Sequence, residues 1–93
     1  MYVLAINHAV ADYDRWKQVY DTYPPTTAGG AKFSRVNRSI DDPNLVTVVA
    51  GFDALDTLKS FISDPKLKDE MQRAGVNGEP RIEIYEEVEV TNS

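Results

Sequence analysis

The order of apolar and polar positions predicts a strand and then a helix at the start of the chain. Residues Tyr2–Val10 are mostly apolar on both sides of an alternating pattern, as in a strand covered on both faces. After Asp12 the large apolar residues recur every three or four positions, which is the helical period. We expect Asp12 to cap this helix and Pro24-Pro25 to end it. Its predicted buried face consists of Tyr13, Trp16, Val19, Tyr20 and Tyr23.

The next two apolar segments predict a β-hairpin. Residues 31–40 and 45–52 have the length of strands, and the turn sequence Asp41-Asp42-Pro43-Asn44 separates them. Proline supplies the fixed φ that the second position of such a turn favours. Two strands joined by so short a turn pair in antiparallel fashion.

Helical spacing returns after residue 53 and is interrupted once. Asp53 or Asp56 would open the first of two helices, Asp64-Pro65 would break it, and Pro65 would begin a short helix that Gly75 ends. The predicted buried residues of the two helices are Leu55, Leu58, Phe61 and Ile62, followed by Leu67, Met71 and Ala74.

The complete order of elements predicts the fold class. Residues 77–80 have loop composition, and residues 81–90 alternate as a last strand. The order is then β-α-β-β-α-β with the second helix broken at Pro65, which predicts an α+β, ferredoxin-like fold with a four-stranded antiparallel sheet. The chain is long enough for one domain, over residues 1–90, with a C-terminal tail at 91–93.

The second face of the predicted sheet needs a cover. Its first and third strands carry apolar residues on both faces, and a sheet surface of that kind is unfavourable in water. A second copy, packed sheet against sheet, is the simplest cover. We therefore expect a homodimer.

Charge and composition exclude several classes of function. The formal net charge is −5 and no lysine and arginine cluster offsets it, so we expect no nucleic-acid partner. The chain has no cysteine and one histidine, which excludes disulfides and iron–sulfur clusters and gives no basis for a metal site. No apolar run approaches the roughly 20 residues that span a bilayer, and the N-terminus lacks the basic region of a signal peptide. We expect a cytoplasmic protein without a membrane partner.

Five segments together resemble a known group of proteins. They are residues 8–16 (HAVADYDRW), 38–44 (RSIDDPN), 51–53 (GFD), 63–68 (SDPKLK) and 71–76 (MQRAGV). The combination resembles small bacterial proteins of the dimeric α/β-barrel superfamily, related to antibiotic-biosynthesis monooxygenases and often labelled "cyclase". The resemblance covers nearly the whole chain. It implies a dimer of ferredoxin-like subunits, each with a cavity between sheet and helices, but no single reaction, since the superfamily includes cofactor-free oxygenases, polyketide cyclases, haem-degrading enzymes and proteins of no known activity.

His8 is the candidate catalytic residue. It lies among apolar neighbours on the first strand, and the unperturbed pKa of histidine, near 6.5, suits a general base. The resemblance includes both His8 and Trp16. The alternative is a structural histidine satisfied by one hydrogen-bond partner.

The aromatic face of the first helix is a candidate ligand platform. Trp16, Tyr20 and Tyr23 would line a flat pocket for an aromatic or polycyclic molecule, with Met71 as part of the wall. The alternative is that these side chains, at helical spacing, belong to the core.

Arg38 and Glu86 are the charged candidates for substrate binding. Arg35 and Arg38 are three residues apart and point to opposite faces of their strand, so one of them can meet a ligand carboxylate or phenolate. The alternative is pairing with the glutamates of the last strand, either across the sheet or across the dimer interface. Glu86 shares a face with Ile82 and Ile84, where it would work with His8, or it is an exposed acid at a strand end.

Two classes of function remain open. The first is a cofactor-free enzyme acting on a small hydrophobic, aromatic or polyketide-like substrate, in which His8 removes an acidic proton. The anion would then cyclise or isomerise, or it would react with oxygen as in a monooxygenase. The second is a non-catalytic homodimer that is structural or binds a small molecule. Haem binding through His8 is a weaker alternative.

Overall fold

The computed structural model describes residues 1–22 and 28–92 of the chain. Its strands are β1 (Tyr2–Val10), β2 (Phe33–Arg38), β3 (Leu45–Phe52) and β4 (Val76–Glu86), and the helices between them are α1 (Tyr13–Thr22), α2 (Leu55–Ser63) and α3 (Pro65–Arg73). The order β-α-β-β-α-α-β confirms the predicted α+β, ferredoxin-like fold with its second helix divided in two.

The strands form one antiparallel sheet in the order β2-β3-β1-β4. β1 pairs with β3 from Tyr2, opposite Phe52, to Ala9, opposite Leu45, and it pairs with β4 on its other side. The two strands with apolar residues on both faces, β1 and β3, are therefore the central ones, whereas β2 and β4 form the edges.

The hydrophobic core lies on one face of the sheet, beneath the helices. The even-numbered side chains of β1 and β3 point into it, and helical side chains cover them. One half of the core contains Leu4, Ile6, Ala50, Phe52, Leu58, Phe61 and Leu67. The other half contains Val10, Trp16, Val46, Val48 and Ala74.

Two of the predicted helix starts are confirmed by their caps. The Asp12 carboxylate accepts hydrogen bonds from the backbone N–H groups of Asp14, at 3.0 Å, and Arg15, at 3.4 Å. Asp64 accepts one from the backbone N–H of Lys66 at 2.9 Å, with Pro65 as the first helical residue. The predicted end of the first helix at Pro24-Pro25 lies outside the described residues.

The start of α2 differs from the prediction. Ala54, in an extended conformation, occupies the N-cap position and makes no side-chain cap bond. Asp53 precedes it, and Asp56 lies in the first turn, where a negative charge interacts favourably with the helix dipole without capping the helix.

The predicted loop at residues 77–80 is wrong, because β4 already begins at Val76. Asn7 pairs with Arg81 and Ala9 with Asn77, so two more residues of β4 than of β1 lie between these pairs. This is a β-bulge, and Gly78 within it has a φ of +70°. Bulges tolerate the glycine and proline that otherwise mark a loop, which is why the composition was misleading.

The last strand also ends earlier than predicted. β4 stops at Glu86, and Val88 and Val90 beyond it are 93% and 62% exposed. The backbone N–H of Glu87 still donates to the carbonyl of Met1 at 2.9 Å, so pairing stops at the residue before β1 begins. Alternating valines and glutamates resemble a strand, but none of the described strands pairs with the residues that follow Glu87.

None of the described helices lies on the opposite face of the sheet. It is formed by the odd-numbered side chains of β1 and β3, among them Val3, Ala5 and Val49, which are only partly buried. We call this surface the open face. Among the described residues, no helix is long and apolar enough to cross a membrane.

Candidate functional site

His8 lies on the helix-facing side of β1, in the middle of the core. It is opposite Val46 of β3, and its side chain is 4% exposed. On its other side lies the β4 bulge, because the register between Asn7 and Ala9 is interrupted there. Bulges are common next to functional sites, where they redirect side chains or end strand pairing.

The imidazole of His8 has no hydrogen-bond partner in the described part of the chain. Neither Nδ1 nor Nε2 is bonded, although both atoms are buried. Burial lowers the pKa of His8 from its usual 6.5, because removal from water disfavours the charged ring. The neutral ring offers one N–H donor and one acceptor, and leaving a buried group of this kind unsatisfied costs about 1–3 kcal/mol.

Trp16 and Tyr20 of α1 form a stacked pair beside His8. The rings of His8 and Trp16 have centroids 5.4 Å apart and are tilted by 57°. The rings of Trp16 and Tyr20 are 5.1 Å apart and nearly parallel, at 24°. The four-residue spacing places both rings on one helical face, as predicted from the sequence. They extend from His8 towards the edge strand β2.

The phenol of Tyr20 is held by a residue that sequence reasoning missed. Its hydroxyl lies 2.6 Å from Oγ of Ser34, on β2. Ser34 is paired with Ala50 and therefore faces the helices. A hydroxyl between the apolar residues Phe33 and Val36 was the available signal, but its partner is set only by the packing of α1 on the sheet.

A cavity of about 40 Å³ lies against His8, between the sheet and the helices α1, α2 and α3. The cavity is lined mainly by apolar and aromatic side chains, and Trp16, Tyr20 and Met71, three of the candidate ligand-binding residues, are among them. Its lining comprises Ile6, His8, Trp16, Val19, Tyr20, Val48, Phe61, Leu67, Glu70, Met71 and Ala74. The volume suffices for about one water, whose share of the liquid is about 30 Å³.

Glu70 carries the one formal charge among the described lining residues, and sequence reasoning missed it. The cavity-facing side of α3 consists of Leu67, Glu70, Met71 and Ala74, so the acid interrupts an apolar face. Its carboxylate lies 3.8 Å from the guanidinium of Arg73, one turn along the helix. An acidic residue on the apolar face of a predicted helix was the signal in the sequence that could have identified Glu70 as a cavity residue.

Arg38 does not line the cavity. It faces the helices and Arg35 faces the other way, as predicted, but the guanidinium of Arg38 lies over the ring of Tyr13, 4.4 Å from its centroid. Pairing of either arginine with the glutamates of the last strand is impossible within one chain, because β2 and β4 are at opposite edges of the sheet.

Glu86 and His8 lie far apart in one subunit. Glu86 is opposite Tyr2, six residues from His8 along β1, which corresponds to roughly 20 Å at 3.3 Å per residue. The hypothesis that Glu86 works with His8 is therefore wrong within a single chain. Tyr23, the remaining predicted pocket residue, lies outside the described residues.

Sequence comparison does not place the chain in a family. No protein-family model matches it. No curated protein matches it at a significant level either.

Solved structures, in contrast, share the fold over almost the whole chain. A proposed antibiotic biosynthesis monooxygenase from Deinococcus radiodurans superposes with a TM-score of 0.75 at 15% identity, covering 100% of this chain and 98% of that one. SnoaB, a cofactor-independent oxygenase from Streptomyces nogalater, gives a TM-score of 0.75 at 13% identity, covering 99% and 97%. A proposed antibiotic biosynthesis monooxygenase from Nitrosomonas europaea gives 0.74 at 11%, covering 98% and 93%. The chain therefore has the ferredoxin-like fold of the antibiotic biosynthesis monooxygenase-like proteins.

Proposed function

We propose that this protein is a cofactor-independent monooxygenase that binds an uncharged aromatic phenol or enolisable ketone against His8. The observation that carries the proposal is the buried imidazole at the end of an aromatic cavity, with two nitrogens to which no described residue is hydrogen-bonded. A structural histidine would be satisfied by a partner in the fold. A phenol or enol supplies what the neutral ring lacks, because its O–H donates to the unprotonated nitrogen.

Charge supports an uncharged ligand. Glu70 is the one charged group among the described cavity residues, and it would repel a carboxylate or phosphate. The lowered pKa of His8 keeps the ring neutral near pH 7, so it offers no compensating positive charge. A neutral molecule that becomes an anion only on transfer of its proton to His8 fits both conditions.

The proposed chemistry begins with that proton transfer. His8 removes the proton of an enol, and the resulting anion forms a carbon–oxygen bond with dioxygen by transferring electrons to it. The His8 imidazolium returns the proton to the peroxide, and loss of water leaves a new carbonyl group. Anthrone and dioxygen would give anthraquinone and water in this way. The fold shared with SnoaB, an oxygenase that needs no cofactor, is consistent with this scheme.

The test is oxygen uptake with anthrone in the wild type and in His8→Gln, a variant that keeps a polar side chain of similar size. General-base catalysis contributes about 10²- to 10⁴-fold, and we expect a loss of that order in kcat with an unchanged circular dichroism spectrum. Normal turnover by His8→Gln would show that His8 is not the base. Ligand affinity without turnover in the wild type, lost in Trp16→Ala and retained in His8→Gln, would instead establish a non-catalytic binding protein.

Assembly as a homodimer through the open face is part of the same proposal. Val3, Ala5 and Val49 lie there with little cover, and the Arg35 guanidinium lies over the ring of Phe33, 4.6 Å from its centroid. Two such faces packed together would remove this apolar surface from water, which is favourable by about 25 cal/mol per Å².

A further inference from the structure

The His8 cavity is too small for the ligand of the proposed function as it stands. Its volume is about 40 Å³, whereas a dry cavity of about 150 Å³ is needed for a molecule the size of benzene. Beside it, on the side of α1, α2 and α3, lies a wider groove of about 670 Å³. We call this second hollow the outer groove. A two- or three-ring molecule fits it without reaching His8.

Four side chains line both the cavity and the outer groove and so form the wall between them. They are Val19, Phe61, Leu67 and Glu70. Phe61 is the largest of these and the one aromatic ring. It also lines a third hollow of about 380 Å³ at the surface of α2, so its ring lies where three spaces meet.

The other three wall residues differ from Phe61 in shape or pairing. Val19 is β-branched and therefore restricted at χ1. Leu67 belongs to the same core half as Phe61 and also borders three hollows, but its side chain is aliphatic and smaller. Glu70 is paired with Arg73. Phe61 is 7% exposed but borders the cavity, the outer groove and the hollow at the surface of α2. These spaces leave room for its ring to rotate.

The Phe61 ring separates the cavity from the outer groove, and we call this its closed position. Two residues, Phe52 and Gly29, contact the ring in this position. Its centroid lies 5.8 Å from that of Phe52, in the core. On the outside the ring packs so closely against Gly29 that a methyl group added there would collide with it. Glycine at this position is what permits the ring to close the wall.

We propose that Phe61 is the residue that determines which rings reach His8, because displacement of its side chain joins the cavity to the outer groove. This inference rests on the proposed function, since it concerns the ligand of the same site. The opening that would join the cavity to the outer groove is called the passage. Phe61 lines this passage and takes no part in proton transfer. With the ring closed, the passage admits water, and with the ring displaced, it admits flat aromatic molecules.

The test measures how fast two probes associate with Phe61→Leu, which shortens the side chain and removes the ring. The probes are 1-naphthol, with two rings, and anthrone, with three, and the signal is the fluorescence of Trp16, the one tryptophan in the chain. A conformational change before binding slows association, so we expect Phe61→Leu to accelerate it by roughly tenfold. The increase in association rate should be larger for anthrone, which has three rings, than for 1-naphthol, which has two.

The matched control is Phe33→Leu, which makes the same change on the open face. It should leave both association rates as in the wild type. Phe61→Ala widens the passage further but removes more of the core, so Phe61→Leu remains the decisive variant if the alanine variant does not fold.

The outcomes separate this inference from the proposed function. Equal association rates in wild type and Phe61→Leu, with 1-naphthol bound by both, would overturn the role of Phe61 alone. Reduced affinity in a folded Phe61→Leu would overturn it as well, because the ring would then hold the ligand. Absence of binding of either probe to the wild type and to Phe61→Leu would contradict both proposals.

Discussion

At the scale of single residues, the physical state of His8 governs the chemistry of the site. The ring is buried beside Trp16, and burial alone lowers its pKa. Burial of a polar group opposes folding when it has no partner, and none of the described residues bonds the His8 imidazole, so the position of His8 reduces stability. If His8 is the proposed base, this cost maintains a base that is neutral near pH 7. Tyr20 and Ser34 illustrate the opposite case, in which a polar pair on the same side of the sheet satisfies itself.

His8 should make the protein less stable as the pH is lowered. The unfolded chain binds a proton at His8 near pH 6.5, whereas the folded chain binds it only at a lower pH. Between these two values the unfolded state carries more protons, so the free energy of unfolding falls as the pH decreases through that window. Urea unfolding of wild type and His8→Gln between pH 5 and about 7 measures this.

The difference in the free energy of unfolding between wild type and His8→Gln reports on His8 alone, because the carboxylates are common to both proteins. We expect the wild type to lose stability relative to His8→Gln as the pH falls. A constant difference across this range would mean that the histidine has the same pKa folded and unfolded, and that its burial has no electrostatic consequence.

At the scale of elements, the bulge of β4 is the feature that sets the surroundings of His8. The two additional residues of β4 leave His8 without a paired residue on that side, between Asn7 and Ala9. Gly78 supports the bulge with a φ of +70°, a conformation that costs other residues about 1–2 kcal/mol. The bulge and the position of His8 therefore depend on one another.

Gly78→Ala should destabilise the protein by about 1–2 kcal/mol through backbone strain. A Cβ at this position meets no atom within 4 Å, so steric collision does not contribute. Urea unfolding gives the magnitude, and Ser60→Ala, on an exposed position of α2, serves as the control. Stability equal to the wild type would show that the bulge readily adopts another backbone conformation.

Sequence periodicity was sufficient for the elements in which one pattern dominates. The bounds of β1 and β3 follow from their continuous apolar residues, and Asp12 and Pro65 mark helix starts by local chemistry. The start of β4 did not follow, because glycine and proline in a bulge have the composition of a loop. In such a segment the pairing partner, and not the local sequence, determines the structure.

The candidate site was predictable only in part, for a related reason. His8, Trp16, Tyr20 and Met71 were found because a strand and two helices with known periods place them on inward faces. Phe61 was likewise expected to be buried, whereas the contributions of Ser34 and Glu70 depend on how the helices pack on the sheet, which no local pattern contains. Glu86 was misjudged because sharing a face with apolar residues does not fix the distance along the strand.

At the scale of the whole molecule, all helices described lie on one side of the sheet, and the centre of the open face is apolar within a polar border that includes Asn7 and Thr47. The centre of that face is formed by Ala5, which is paired with Val49, and neither is fully buried. The two halves of the core already occupy the helix side, so no described element remains to cover the open face. The proposed second copy would cover this face, since face-to-face packing of two sheets is a common packing mode.

Val49→Glu should convert the proposed dimer into a monomer, because it places a charge at the centre of the buried face. Size-exclusion chromatography with light scattering measures the mass directly. Gln72→Glu adds the same charge on an exposed position of α3 and should remain dimeric. A dimeric Val49→Glu, or a monomeric wild type at micromolar concentration, would contradict assembly through this face.

The most direct test of the account as a whole is the nitrogen NMR spectrum of His8, recorded with and without 1-naphthol. His8 is the one histidine in the chain, so its two ring nitrogens are assigned without ambiguity. We predict that the ligand shifts the resonances of both Nδ1 and Nε2, with one nitrogen accepting the phenol proton in a hydrogen bond, and that Trp16→Ala abolishes the change. Ring-nitrogen resonances that stay unchanged at saturating ligand would contradict the account, because the unbonded imidazole would then not be the place where the ligand is recognised.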